Sequence, residues 1–287
     1  MKNLCIITFL LVLTESKLHA AQPVPNVIPD NDLSYSINAQ IKSTNAVTEN
    51  DFNFVTKTLY RLFAPKIAEK SGLKFVLNAN WKDDTVNAFA TREADSWSVQ
   101  IPGGIARGKG MTKDSLALVI CHEIGHHLAG APKTFLYDGW PSAEGQADYW
   151  ASSKCLKKYY QEIFSEEFVI DQSIPEKVIL DCNSVYKNPA SLKVCVRTMM
   201  ASLNFAQFLN SLPGVKTPIN IQTPDIRVVK GTNTNDYPRP QCRFDTLYQG
   251  ALCDIDANVL TSDEDENVGH CTNLNKPGFR PRCWYKP

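Results

Sequence analysis

The stretch "SLALVICHEIGHHLAG", residues 115–130, places three histidines and a glutamate in an otherwise apolar segment. Apolar residues lie on every side of this segment when it is drawn as a helix, which is typical of a helix buried in a protein core. Thr112 stands where a helix cap is favoured, and Gly130 stands where a helix commonly ends. The pattern predicts a buried helix over residues 113–129, and its polar side chains need partners because unpaired polar groups are costly to bury.

The spacing of the histidines indicates what those partners are. Positions four apart lie on one face of a helix, so His122 and His126 project together and can bind one metal ion. Glu123 is rotated to the side, where it can take a proton from a water on that ion. This is the HExxH arrangement of zinc peptidases. His127 lies about 100° further round and is not expected to bind the same ion. The motif alone leaves open a second interpretation, in which both histidines bond core carbonyls.

A catalytic zinc needs a third protein ligand and one open position. The pattern HExxHxxGxxH would supply a histidine at position 132, where this chain has Pro132. The stretch "PSAEGQADYWASSKCL", residues 141–156, offers Glu144 on a following helix instead. Asp148 lies one turn later on the same face, where it can accept the free ring N–H of a zinc-bound histidine. We therefore expect one zinc ion per chain, bound by three residues: His122, His126 and Glu144.

The segments around these two helices predict an α+β fold. Helical spacing of apolar residues from Phe52 to Phe63, with Gly72 as a stop, indicates an N-terminal helix. Strand composition follows in "LKFVLNA" (73–79) and in "NAFATREADSWSVQIPGG" (87–104), the latter as two strands around a polar turn at 92–96. Helices are then predicted over 141–160, 175–187 and 190–211, an extended loop over 213–240 and an irregular tail beyond it. Strands first and helices afterwards favour one mostly helical α+β domain with a small sheet.

The N-terminus predicts export. Lys2 precedes an apolar run over residues 4–13, and small residues follow at Ala20 and Ala21. Residues 1–21 therefore read as a signal peptide, which is too short to cross a membrane. No other segment approaches the length of a membrane span, and we expect a soluble protein in the periplasm or outside the cell. The absence of an Asn-x-Ser/Thr sequon is in keeping with a bacterial source.

Eight cysteines remain after the predicted leader. An even number in an oxidising compartment favours disulfides. Cys182 and Cys195 are near neighbours and are expected to pair. The last four are expected to pair among themselves: Cys242, Cys253, Cys271 and Cys283. Either Cys121 or Cys155 could be free.

Three motifs together resemble a known family. "NAFAT" (87–91), "HEIGHH" (122–127) and "EGQAD" (144–148) resemble the CaaX-prenyl-protease-like family of gluzincin zinc metallopeptidases, over about residues 50–160. The resemblance implies a zincin-like metallopeptidase domain over residues 22–240. It also places Asn87, Ala88 and Phe89 on an edge strand, where an extended peptide substrate could add a strand. The segment 241–287 looks like the disulfide-stapled tail of a secreted bacterial subgroup, packed on the catalytic domain.

The resemblance extends to "YPRPQCR", residues 237–243. Family members carry a His-Pro followed five residues later by Arg, and here Tyr237 stands in place of that histidine while Arg243 keeps its position. The resemblance places both side chains over the zinc, where a phenol and a guanidinium could stabilise an oxyanion.

These observations predict an exported zinc endopeptidase acting on a protein or peptide substrate. The formal net charge is zero, which gives no basic excess for nucleic acid or for an anionic membrane. The alternative is a zincin-fold chaperone or adaptor that binds zinc with little or no proteolysis, although a structural zinc would not need Glu123. His270 is remote from the other histidines in sequence and is expected at the surface. The sequence predicts no oligomeric state.

Overall fold

The computed structural model describes residues 25–37, 46–163, 168–215 and 218–287. The predicted signal peptide, residues 1–21, lies outside this part of the chain. The described residues form an α+β fold with a small sheet, as the sequence predicts.

The first elements form a helix and a three-stranded sheet. Helix α1 (Glu49–Ser71) begins at a capping box on Thr48 and ends at Gly72, whose φ of 70° suits glycine. Strands β1 (Lys74–Asn80), β2 (Phe89–Arg92) and β3 (Ser96–Pro102) follow, in the order β1-β3-β2. Strand β1 is parallel to β3, and β2 is antiparallel to it. Strand β2 is therefore an edge of this sheet.

The quoted stretch forms the central helix. A short helix α2 (Gly103–Ala106) leads to α3 (Lys113–Leu128), which begins at a capping box between Thr112 and Ser115. Almost the whole of α3 is buried, from Ser115 to His127, because it lies between α1, the sheet and the helices that follow. Its polar side chains are therefore held inside the core.

A second helical unit follows without a break. It consists of α4 (Glu144–Trp150), a π-helical segment (Ala151–Cys155) and α5 (Leu156–Glu162). The predicted start at residue 141 was wrong, because Ser142 is extended: its N–H donates to the carbonyl of His126 (3.0 Å) and it forms an isolated β-bridge with Lys133. Helices α6 (Glu176–Val185) and α7 (Pro189–Ser211) follow close to their predicted positions.

The tail is more ordered than predicted. Helix α8 (Pro240–Leu252) occupies the start of the segment that was predicted to be irregular. It packs on α7, α4 and the π-helical segment, and its buried face includes Phe244, Leu247 and Ala251. Beyond Leu252 the chain forms neither helix nor strand.

Four disulfides link the described cysteines. The Cys182–Cys195 pair is confirmed, and so is pairing within the last four cysteines, as Cys242–Cys283 and Cys253–Cys271. The expectation that Cys121 or Cys155 could be free was wrong, because they bond to each other and join α3 to the π-helical segment. In the described part of the chain, no helix is both long enough and apolar enough to cross a membrane.

Candidate metal centre

The two histidines of the HExxH motif lie next to one another on α3. Their rings lie 4.8 Å apart and nearly perpendicular, at 87°. Nδ1 of His122 lies 2.8 Å from Oδ1 of Asp148, and Nδ1 of His126 lies 2.9 Å from the carbonyl oxygen of Ser142. These contacts occupy both Nδ1 atoms, so the two Nε2 atoms are left to face a common space.

Glu144 reaches the same space from the first turn of α4. Its Oε2 lies 3.3 Å from Nε2 of His122, and its Oε1 lies 3.6 Å from Nε2 of His126. Close approach of the two helices makes this possible: a Cβ built on Gly125 would lie 3.1 Å from the backbone of Ala147. Small residues on both helices therefore set the distance between the three side chains.

The atoms that converge here lack protein partners. Nε2 of His122 and of His126, Oε2 of Glu144 and both carboxylate oxygens of Glu123 are buried, with no hydrogen-bond partner among the described residues. Leaving such atoms unpaired costs free energy, which a bound cation would remove. Two imidazoles and one carboxylate form a donor set that zinc accepts. The residues present therefore fit a zinc ion.

Burial and neighbouring charges shift the pKa values of these groups. Burial lowers the pKa of His122, but Asp148 and Glu144 outweigh it and raise that pKa to about 10. Burial lowers the pKa of His126 to about 4. Burial, offset in part by His122, raises the pKa of Glu123 to about 8. In the metal-free protein the buried Glu123 carboxyl group therefore holds a proton near neutral pH.

Arg243 lies against Asp148. Its Nε donates to Oδ2 (2.7 Å) and its Nη2 donates to Oδ1 (2.8 Å), while Nη1 donates to the carbonyl of Val27. Burial raises the pKa of Asp148, but Arg243 and His122 outweigh it and hold that pKa at about 2. Arg243, which was predicted to stabilise an oxyanion, is therefore bound to Asp148 and to the carbonyl oxygen of Val27.

Tyr237 also contacts the N-terminal segment. Its hydroxyl donates to the carbonyl oxygen of Asn26 at 3.0 Å. Burial raises its pKa far above the usual value, with a smaller contribution from the negative charge of Glu144, so the phenol is a hydrogen-bond donor throughout the neutral range.

Of the three residues predicted to bind substrate, Phe89 begins β2, and Asn87 and Ala88 directly precede it. Oδ1 of Asn87 accepts from the N–H of Ile28 (3.3 Å), and its Nδ2 donates to the carbonyl of Ile28 (3.1 Å). The carbonyl of Ala88 accepts from the N–H of Val27 (3.1 Å), and Phe89 forms an antiparallel bridge with Asn26. The edge of β2 therefore carries residues 26–28 of this chain.

Other features of the site are absent from the sequence-based prediction. Nε2 of His127 lies 3.0 Å from the carbonyl oxygen of Ser98, and its ring stacks between Trp97 and Trp140. The guanidinium of Arg92 packs over both tryptophans. Trp97 and Trp140 are 30 and 13 residues away from His127 in sequence, so no local pattern marks this stack, the Ser142 carbonyl or residues 26–28.

The expected exposure of His270 was wrong. Its side chain is buried, its Nε2 accepts from Nε2 of Gln146 (2.9 Å), and its ring meets Tyr149 edge-on. It fastens the tail to α4 rather than binding a metal. A second group of possible ligands, Asp225 with Cys242 and Cys283, is no metal site because the two cysteines bond to each other.

Comparison of the chain with protein-family models, with curated proteins and with solved structures finds no match in any of the three. The resemblance to gluzincin peptidases therefore stays a prediction.

Proposed function

We propose that this chain is an exported zinc endopeptidase of the gluzincin type. The observation that carries the proposal is the convergence of unpaired, buried Nε2 atoms of His122 and His126 on the carboxylate of Glu144. Asp148 and the Ser142 carbonyl fix the two rings from behind, as the partners of metal-binding histidines do. Four disulfides are compatible with an oxidising compartment outside the cytosol.

Each side chain has a role in peptide hydrolysis. His122, His126 and Glu144 would bind zinc, which when present polarises the substrate carbonyl and acidifies the attacking water. Glu123 accepts a proton from that water and passes it to the leaving amine, while the hydroxyl adds to the carbonyl carbon and the C–N bond breaks. Tyr237 would donate to a peptide carbonyl, as it donates to that of Asn26.

The test compares the protein with its Glu123→Gln variant. We expect one zinc per chain in both, and cleavage of unfolded casein by the Glu123 form only, because glutamine keeps the shape of the side chain but accepts no proton. If the protein does not bind about one zinc ion per chain, the proposal is refuted. Zinc in both forms with equal residual cleavage would assign the cleavage to a contaminant.

A second variant, Glu144→Gln, helps to distinguish a peptidase from a protein that only binds unfolded chains. Glu144→Gln weakens a proposed ligand but leaves Glu123 intact, so zinc affinity and cleavage should fall together. A chaperone or adaptor would instead bind unfolded casein without cleaving it, and Glu123→Gln would not change that binding.

A further inference from the structure

Residues 25–28 run alongside the start of β2 and pair with it through one antiparallel bridge. The N–H of Val27 donates to the carbonyl of Ala88 (3.1 Å), and the N–H of Ala90 donates to the carbonyl of Pro25 (3.2 Å). Asn26 and Phe89 form the antiparallel bridge between them. The edge of the sheet where an extended peptide is expected to bind thus holds a peptide already, and that peptide belongs to the same chain.

Side chains complete the binding of this segment. Asn87 bonds both main-chain groups of Ile28, Tyr237 donates to the carbonyl of Asn26, and Arg243 donates to the carbonyl of Val27. The sequence predicted these three side chains for substrate binding or transition-state stabilisation. All of them bind the same short segment.

The segment also lies beside the candidate metal centre. Arg243 binds the Val27 carbonyl with one nitrogen and Asp148 with two others, and Asp148 contacts His122. The carbonyl of Val27 is thus connected to a proposed zinc ligand through two side chains. The segment also borders a cavity of about 410 Å³ lined in part by Ile28, Tyr237 and Arg243.

A permanent structural strand would explain the burial of Val27 and Ile28, which are 0% and 2% exposed. It would also explain the main-chain pairing with β2. It gives no reason for Asn87, Tyr237 and Arg243 to bond successive peptide groups of one segment, whereas a peptide-binding groove requires such bonds to hold its ligand in one register.

We propose that residues 25–28 are an internal ligand of the substrate groove, which keeps other peptides out until the segment leaves. This inference rests on the proposed function. Val27 is the fully buried residue of this segment, and it lies between the peptide groups that Tyr237 and Asn87 bond. The groove then takes extended peptides with a small aliphatic residue at the position that Val27 occupies.

Binding is tested in the Glu123→Gln background, so that the result does not depend on cleavage. The probe is a fluorescently labelled peptide of residues 22–32, QPVPNVIPDND. Val27→Asp places a charge in the buried position and should release the segment. We expect the Val27→Asp protein to bind the peptide at least about tenfold more tightly than the protein with Val27, because a groove occupied nine-tenths of the time loses that factor in apparent affinity. The same peptide carrying Asp in place of Val27 should not bind.

Val47→Asp is the matched control. Val47 is also buried, at 7% exposed, but lies outside the groove. Its substitution should lower stability without increasing peptide binding. Equal binding by the Val27 and Val27→Asp proteins, or no binding by a folded Val27→Asp protein, would overturn the inference.

A second variant covers the case in which Val27→Asp does not fold. Residues 38–45 are replaced by the recognition sequence of a specific protease, and the folded, zinc-loaded chain is then cut there. Release of the N-terminal fragment on dilution, with a gain in peptide binding of about tenfold, supports the inference. If the fragment stays bound and peptide binding does not increase, the inference is overturned.

Cleavage assays then separate the two proposals. With Glu123 intact, the segment-released protein should cleave unfolded casein faster than the parent protein, and added peptide 22–32 should inhibit it. Peptide binding without cleavage would retain the internal ligand and refute the peptidase. Cleavage by the parent protein at the rate of the released one would retain the peptidase and refute the internal ligand.

Discussion

Arg243 and Asp148 form a buried ion pair with two parallel hydrogen bonds, of 2.7 and 2.8 Å. The same carboxylate lies 2.8 Å from Nδ1 of His122, so one aspartate joins a helix of the tail to the HExxH helix. A carboxylate behind a metal-binding histidine fixes its tautomer and ring orientation. Breaking a buried pair by removing one charge is expensive because the other charge stays buried.

Asp148→Asn should therefore weaken both folding and zinc binding. Asparagine keeps the shape but leaves Arg243 without its counter-charge, and we expect a loss of about 3–5 kcal/mol in the free energy of unfolding of the metal-free protein. Zinc affinity should fall about 10- to 100-fold. Urea unfolding and zinc titration against a competing chelator measure the two effects.

Asp114→Asn is the control for this substitution. Asp114 makes a similar two-bond pair with Arg197, at 2.7 and 2.9 Å, but at the start of α3 and without contact to a histidine. It should lose stability and keep its zinc affinity. If Asp148→Asn binds zinc as tightly as the parent protein, Asp148 does not orient His122.

Gly145 on α4 lies directly against Trp284 of the tail. A Cβ on this residue would lie 2.3 Å from Cδ2 of Trp284, a buried and rigid ring. Gly145→Ala should cost about 1–3 kcal/mol of stability through overpacking and should displace Trp284. Thermal unfolding and tryptophan fluorescence report the two effects. Gly231→Ala, where a Cβ would meet nothing within 4 Å, should change neither.

Local patterns were sufficient for the residues that share a helix. The spacing of His122 and His126, and of Glu144 and Asp148, brings each pair onto one face whatever the rest of the fold does. The caps at Thr112 and Gly72 follow from local chemistry in the same way. Hence both helices and the donor set could be proposed before the structure was known.

Long-range features could not be predicted in this way. The pairing of residues 25–28 with β2 and the bond from Ser142 to His126 depend on tertiary contacts that leave no local pattern. The burial of His270 depends on where the tail crosses α4. Helix α8 was missed for a different reason: prolines and cysteines around it suggested irregular chain, although its apolar residues have helical spacing.

The Cys121–Cys155 disulfide should contribute more to stability than the Cys182–Cys195 disulfide. The first bond joins cysteines that are 34 residues apart in sequence, and the second joins cysteines that are 13 residues apart. In the chain-entropy account this corresponds to about 4 and about 3 kcal/mol respectively. Replacing each pair by alanine and measuring urea unfolding tests the order.

Zinc binding adds a second readout for the disulfides. Cys121 precedes His122 directly, whereas Cys182 and Cys195 join α6 to α7 away from the candidate metal centre. Loss of the first disulfide should lower zinc affinity, and loss of the second should not. An equal effect of both on zinc affinity would mean that the Cys121–Cys155 bond has no special part in holding α3.

His270 should make the fold sensitive to mild acid. Burial, together with the positive charge of Arg280, lowers its pKa to about 3, below the value near 6.5 of an unfolded chain. Between these two values the unfolded chain binds more protons, so stability falls as the pH drops through this window. The expected loss from this one residue between pH 7 and pH 5 is about 2 kcal/mol.

The measurement compares the parent protein with His270→Gln. Both are stripped of metal beforehand, so that loss of zinc at low pH does not contribute to the change in stability. Glutamine has no titration in this range and can still contact Gln146. Urea unfolding at pH 7 and pH 5 should show a smaller loss in the variant, by about 2 kcal/mol. His127 is also buried with a lowered pKa, so the variant should keep part of the acid sensitivity. The same pH dependence in both proteins would show that His270 is not held neutral in the folded state.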